Sequence, residues 1–137
     1  MGTQERVVFY NTENLFDTRN DTLTADDDFT PWGKQHWNRE RYTRKLLNIS
    51  KVLNGLGAGK FPLLIGLSEV ENRNVVSDLV NKTVLADGNY GIVHTDSPDT
   101  RGIDVALLYR KDSFRLLHNA FFPVHLKSGE TTRDILY

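Results

Sequence analysis

The chain has 137 residues, 39% of them hydrophobic and 26% charged, the balance of one ordinary globular domain and not of a disordered segment. A net charge of −1 excludes an overall basic field for holding nucleic acid, and zero cysteines exclude a disulfide framework, thiolate zinc sites and a cysteine nucleophile. The longest uncharged apolar run, Phe61 to Leu67, falls far short of the ~20 residues a membrane-spanning helix needs.

In chain order, Arg6–Tyr10 reads as a first strand, because VVFY is β-branched and aromatic with both parities apolar. Asp17–Trp37 reads as a long loop, rich in Asp, Thr, Gly and Pro, of a length that usually marks a lid or a mobile segment. Asn38–Leu56 is the clearest helix. Asn38 can cap it, Tyr42, Leu46, Ile49, Leu53 and Leu56 repeat at helical spacing, and Gly55, Gly57 and Gly59 end it. Phe61–Glu69 is a second strand, too uniformly apolar for a surface, and Asn72–Lys82 a short second helix with Val75, Val76, Leu79 and Val80 inward. Tyr90–His94 and Ile103–Tyr109 are the third and fourth strands. Phe114–Leu117 with Phe121–Leu126 suggests a bent fifth, and Arg133–Tyr137 begins a sixth.

Charge is uneven along this path. Glu13, Asp17, Asp21 and Asp26–Asp28 make the early segment acidic; Lys34, Arg39, Arg41, Arg44, Lys45, Lys51 and Lys60 make the next one basic. The plain reading is a solvated loop followed by the wet face of a helix, with a phosphate-facing basic edge as its rival. The strands are apolar on both faces, so the sheet is expected to be covered on both sides. Two helices suffice for one cover. The second cover is expected from residues that follow Tyr137 or from another chain.

Three polar clusters stand at strand ends, where α/β sites form. The first is Asn11, Glu13 and Asn14, for which spacing alone favours the plainer reading that they terminate the strand in an Asx turn. The second is Glu69, a carboxylate at the polar end of a buried strand, costly unless paired, hydrogen-bonded or bound to a cation. Such an oxygen-rich setting suits Mg²⁺ and not zinc. Glu71 and Asn72 beyond it read as helix-start residues. The third comprises Arg101 and Arg133, each before a strand, each able to clamp phosphate or to pair with Asp99, Asp104 or Asp134; taken singly, the ion pair is favoured. His36, His94, His118 and His125 show neither zinc-helix spacing nor a nucleophile elbow, and read as structural or exposed.

Taken in order, VVFYNTENLFD, DDDFTPWGKQHWNRERYTRKLLNISKVL, LIGLSEVEN, HTDSPDTRGIDVALLYR and TTRDILY resemble the N-terminal half of the endonuclease/exonuclease/phosphatase superfamily, the deoxyribonuclease I-like fold. The resemblance runs from about Arg6 to Tyr137. It implies an α/β fold, the N-terminal half of a four-layer α/β/β/α sandwich, with one mixed sheet carrying helices on one face. It implies Asn11 and Glu69 as catalytic residues, Glu69 as the ligand of Mg²⁺ or Mn²⁺ with Glu13 as a weaker one, and Arg133 and Arg101 as phosphate contacts. Ser68 stands where many relatives have glutamine. The family's water-activating Gly-Asp-x-Asn motif and its phosphate-holding Asp-His pair do not occur in these residues. The implied function is a fragment of a Mg²⁺-dependent phosphoesterase acting on nucleic acid, a phosphorylated small molecule or a lipid head group, inactive alone. The alternative is a non-catalytic half-fold that works by pairing with itself or with a C-terminal half. By the same resemblance the location is secreted or periplasmic, although Met1–Glu5 shows no signal-peptide pattern.

Overall fold

The computed structural model describes residues 4–137. Its centre is a four-stranded mixed sheet in the order β1-β2-β4-β3, formed by β1 (Val7–Leu15), β2 (Leu64–Val70), β3 (Tyr90–His94) and β4 (Asp104–Arg110). β1 and β2 run parallel, and the other two pairings are antiparallel. A parallel pair needs a crossover, and α1 (Arg39–Leu56) supplies it. α2 (Arg73–Asn81) follows β2 directly. A separate two-stranded piece pairs β5 (Phe121–Phe122) with β6 (Ile135–Leu136). No helix among the described residues is long and apolar enough to cross a membrane.

Both helices start as the sequence indicates. The Asn38 side chain accepts the Arg41 N–H at 3.0 Å, and the Asn72 side chain accepts that of Val75 at 3.0 Å, each satisfying a donor the first turn leaves unpaired. The apolar stripes Tyr42, Leu46, Ile49, Leu53 and Val75, Val76, Leu79, Val80 are buried and join one core with Ile65, Leu67, Ala106 and Leu108 of the sheet. Register explains the choice of strand residues: Ile65 opposes Val8 and Leu108, and Leu67 opposes Tyr10 and Ala106, so one parity of each strand faces the helices.

The other parity is only thinly covered. Val7 and Phe9 are 72% and 74% exposed. Phe9 opposes Gly66 and Tyr109 opposes Gly91, and each ring lies where a Cβ on its glycine would stand. β6 comes near β4, a strand flanked on both sides within the sheet. Val93 is buried yet outside the core beneath the helices.

Three sequence expectations need correction. β1 does not stop at Tyr10 but continues to Leu15, because its backbone goes on pairing along β2 past an irregularity. The bent fifth strand shrinks to Phe121–Phe122; Phe114–Leu117 has no neighbouring strand to pair with, and Leu117 is exposed. The acidic loop is not simply solvated. Phe16 stacks on Phe29 at 4.4 Å, the Trp37 indole N–H donates to the Phe16 carbonyl at 2.9 Å, and Asp26 is buried.

Candidate active site

The polar clusters meet where β1 and β2 lose their register. Asn11 pairs with Ser68 and the next aligned pair is Leu15 with Val70, so three residues of β1 face the single residue Glu69. On the opposite side Ser68 pairs with Val105 and Val70 with Asp104, leaving Glu69 as the extra residue against β4 too. Glu69 is thus a bulge toward both neighbours. Bulges re-aim a side chain, and this one has φ +63°. Glu13 and Asn14 on the facing strand have φ +54° and +62°. For Glu13 and Glu69 this costs roughly 1–2 kcal/mol relative to the right-handed region, less for Asn14, whose side-chain type tolerates it, and all three converge at one edge of the sheet.

Several contacts hold this geometry. The buried Thr12 hydroxyl lies within hydrogen-bond reach of two carbonyls of β2, those of Ser68 at 3.0 Å and Glu69 at 2.8 Å. The Asn14 N–H donates to Glu69 Oε2 at 3.2 Å. Asn11 Oδ1 accepts the Glu13 N–H at 2.8 Å, an Asx turn, so that reading holds for Asn11 whatever else it does. The Lys45 ammonium, reaching over from α1, donates to the carbonyls of Glu13 and Asn14, the latter at 3.0 Å. Burial lowers the Lys45 pKa, and the neighbouring charges of Glu13 and Glu69 oppose that shift.

The two arginines behave differently. Arg101 forms the ion pair favoured from sequence: its Nε and Nη2 donate to the two oxygens of Asp99 at 3.0 and 2.7 Å. Burial alone would raise the Asp99 carboxyl, but the hydrogen bonds from the Arg101 side chain and backbone, with the charges of Arg101 and Arg133, hold it below the ordinary carboxylate range. Arg133 does not take Asp99, Asp104 or Asp134 as its ion-pair partner. Its Nη1 lies 3.7 Å from Glu69 Oε1, because the bulge turns that carboxylate toward the C-terminal segment.

Glu69, Asn11 and Arg133 are therefore gathered at one edge. Arg101 lies close enough for Glu69 to raise its pKa, behind the larger effect of its Asp99 hydrogen bond and against that of burial. The Glu13 carboxylate makes no hydrogen bond or ion pair among the described residues; Lys45 feels its charge and that of Glu69. Asn72 starts α2 as expected, whereas Glu71 is drawn away and accepts the Asp17 N–H at 2.6 Å. Sequence reasoning missed Lys45, placing it on a wet helix face. Its spacing from Tyr42 and Ile49, three and four residues, was the available signal that it borders the apolar stripe. A groove of ≈ 420 Å³ opens beside the turn, with Thr12 and Glu13 on one wall and Arg41, Arg44 and Lys45 on the other.

Compared with known proteins, residues 6–137 match the family described as Endonuclease/Exonuclease/phosphatase family. No curated protein and no solved structure matches the chain.

Proposed function

The chain belongs to the endonuclease/exonuclease/phosphatase family, and on that premise we propose that it carries the cation- and phosphate-binding part of a divalent-metal-dependent phosphoesterase. One observation carries the reading: three non-glycine residues in the left-handed region, Glu13, Asn14 and Glu69, converge where a half-buried carboxylate meets an arginine. Strain of this kind collects at sites where geometry serves function.

The donors fit the ion. Glu69 offers hard carboxylate oxygen, and its hydrogen-bond and ion-pair partners among the described residues are a backbone N–H and a guanidinium, a setting that suits Mg²⁺ or Mn²⁺ keeping most of its waters. Glu13, on the facing turn, is the next carboxylate available. When bound, the ion supplies polarisation of a phosphoryl oxygen and stabilisation of the leaving oxygen. Asn11 has its amide oxygen committed to the Glu13 N–H, so its NH₂ is the group left to donate to a phosphate oxygen. Arg133 balances the Glu69 charge and is the cation that would turn to the substrate's phosphate. Arg101 has one edge of its guanidinium on Asp99, leaving the Nη1–Nη2 edge for a second phosphate contact. The basic wall of Arg41, Arg44 and Lys45 favours an anionic substrate, a phosphate ester of nucleic acid, a small molecule or a lipid head group.

The family's Gly-Asp-x-Asn motif, whose aspartate takes the proton of the attacking water, does not occur in the sequence, nor does its phosphate-holding Asp-His pair. These 137 residues by themselves are expected not to turn over phosphodiesters, with Mg²⁺ or with Mn²⁺. The exposed Val7 and Phe9 favour the companion reading that the open face pairs, with a second copy or with a C-terminal half.

The test is local. Mn²⁺ added to isotope-labelled chain should broaden the amide signals of Asn11, Asn14 and Glu69 at millimolar concentrations, and Glu69→Gln should abolish that broadening. Broadening that survives Glu69→Gln, or that never reaches these amides, would overturn the assignment. Metal-dependent turnover by the chain that is lost in Glu69→Gln would keep the cation site and refute the expected inactivity.

A further inference from the structure

A second group of side chains, on the opposite pair of strands, has no part in the site above. His94 ends β3 and Asp104 begins β4, and Asp96 lies on the loop that joins them. One potential ligand atom from each of the three lies within 4.8 Å of the others. The His94 side chain is 2% exposed and that of Asp104 5%, while Asp96 is 84% exposed.

The observation that singles this group out is an unpartnered nitrogen. His94 Nε2 is buried and, among the described residues, makes no hydrogen bond. Asp104 Oδ2 lies 3.3 Å from it, but off the line a hydrogen bond requires. The other Asp104 oxygen is already engaged, accepting the Ser97 N–H at 2.8 Å and lying against the Ser97 hydroxyl. So Asp104 is held in orientation by Ser97, as an outer hydrogen bond orients a metal-ligating carboxylate, with one oxygen left facing the imidazole. Asp96 Oδ1 approaches the same ring from the solvent side, 4.0 Å from Nδ1. A buried imidazole nitrogen and a carboxylate oxygen that face one another without bonding are jointly satisfied by a cation between them.

We propose that His94, Asp96 and Asp104 form a binding site for a divalent transition-metal ion, with Zn²⁺ the best match. One imidazole and two carboxylates are ligands zinc accepts, and three protein ligands leave a position for water. The imidazole disfavours Mg²⁺ and Ca²⁺, which take oxygen. This is the converse of the Glu69 edge, where only oxygen is offered. The ion ties the β3–β4 loop to both of its strands, and that loop carries Asp99 and Arg101. Its role is to hold this ion pair in place.

The site does not depend on the phosphoesterase reading, and the test separates the two. The full chain is stripped with EDTA and titrated with Zn²⁺ by calorimetry, with Co²⁺ absorption as a second readout. The expected result is one tight equivalent of Zn²⁺ that millimolar Mg²⁺ or Ca²⁺ does not displace. His94→Ala and Asp96→Asn should each weaken it by at least about tenfold, since even indirect partners of a metal site are worth that much. Asp96 is exposed, so Asp96→Asn remains decisive if His94→Ala fails to fold. Glu69→Gln should leave the titration unchanged. The proposal is overturned if wild type takes up no stoichiometric Zn²⁺, if Asp96→Asn binds as wild type does, if Mg²⁺ displaces the ion, or if Glu69→Gln removes the binding.

Discussion

The two faces of the sheet are built from the same strands and the same residue types, yet they meet different fates. Toward the helices, Ile65, Leu67 and Leu108 are fully buried. Toward the opposite side, Val7 and Phe9 are 72% and 74% exposed, and the glycines at 66 and 91 are roofed by aromatic rings from neighbouring strands. Hydrophobicity alone does not decide burial; a partner layer does. Where α1 and α2 supply that layer the core is close-packed. On the other face, where β6 comes near β4, the Phe9 and Tyr109 rings lie over glycines of their own sheet.

The largest expected effect lies on the covered face. Leu108→Ala should cost about 2–5 kcal/mol in denaturant unfolding, the range for a buried leucine whose surroundings relax only partly. Phe9→Ala, although it removes a larger side chain, should cost less than ~1 kcal/mol, as expected of an exposed position. Equal losses would break the contrast and show that the open face is covered in solution. Equilibrium sedimentation of wild type and Phe9→Ala would then show whether a second copy is the cover.

A second prediction concerns the carboxylate beneath the packed loop. The Glu71 pKa is pushed up to about 8, first by burial and then by the charges of Asp17, Asp26 and Asp21, against the opposing Asp17 N–H bond. Between the ordinary value of 4.5 and about 8 the folded chain keeps a proton that the unfolded chain releases. The sign follows: this contribution to stability is complete below pH 4.5 and is lost as pH rises through 8. Thermal unfolding followed from pH 4 to 9 should show a decline in wild type that is reduced in Glu71→Gln. Parallel curves for the two proteins would mean that the loop leaves Glu71 open to water.

The smallest effect is the sharpest probe of the open face. A Cβ at position 66 would stand 2.8 Å from Phe9 Cδ2. Because Phe9 is exposed, its ring can swing away, so Gly66→Ala should cost less than ~1 kcal/mol by chemical denaturation. A loss comparable to that of Leu108→Ala would mean that something clamps the ring.

Much of the fold was legible in advance. The Asn38 and Asn72 caps, both apolar stripes and the third strand are local patterns, written in residues three or four apart or alternating. The excess of apolar strand residues over available helices foretold the exposed face. The fifth strand was less legible, because a strand exists only when a neighbour accepts its hydrogen bonds, and Phe114–Leu117 has none. The packing of Asp26 was hidden too. It depends on the loop closing back through Phe16, Phe29 and Trp37, contacts that no short-range pattern encodes.

For the site, residue types and order along the chain pointed to Asn11, Glu69 and the arginines, and residues 6–137 match the corresponding family. Position in the chain could not say that Glu69 bulges against both of its neighbours, that Arg133 reaches it, or that Lys45 secures the turn opposite. Nor could it bring His94 to Asp104, since each is an ordinary strand-end residue until β3 and β4 pair. Periodicity and capping are local, so sequence by itself determined the helices and the presence of the strands that the sheet retains; their order across the sheet came only with the tertiary structure. Direction of a side chain at a bulge, and the partner it meets across 50 or more residues, depend on register between distant strands. Only the tertiary structure decides that, because one residue of slip turns every such side chain to the opposite face.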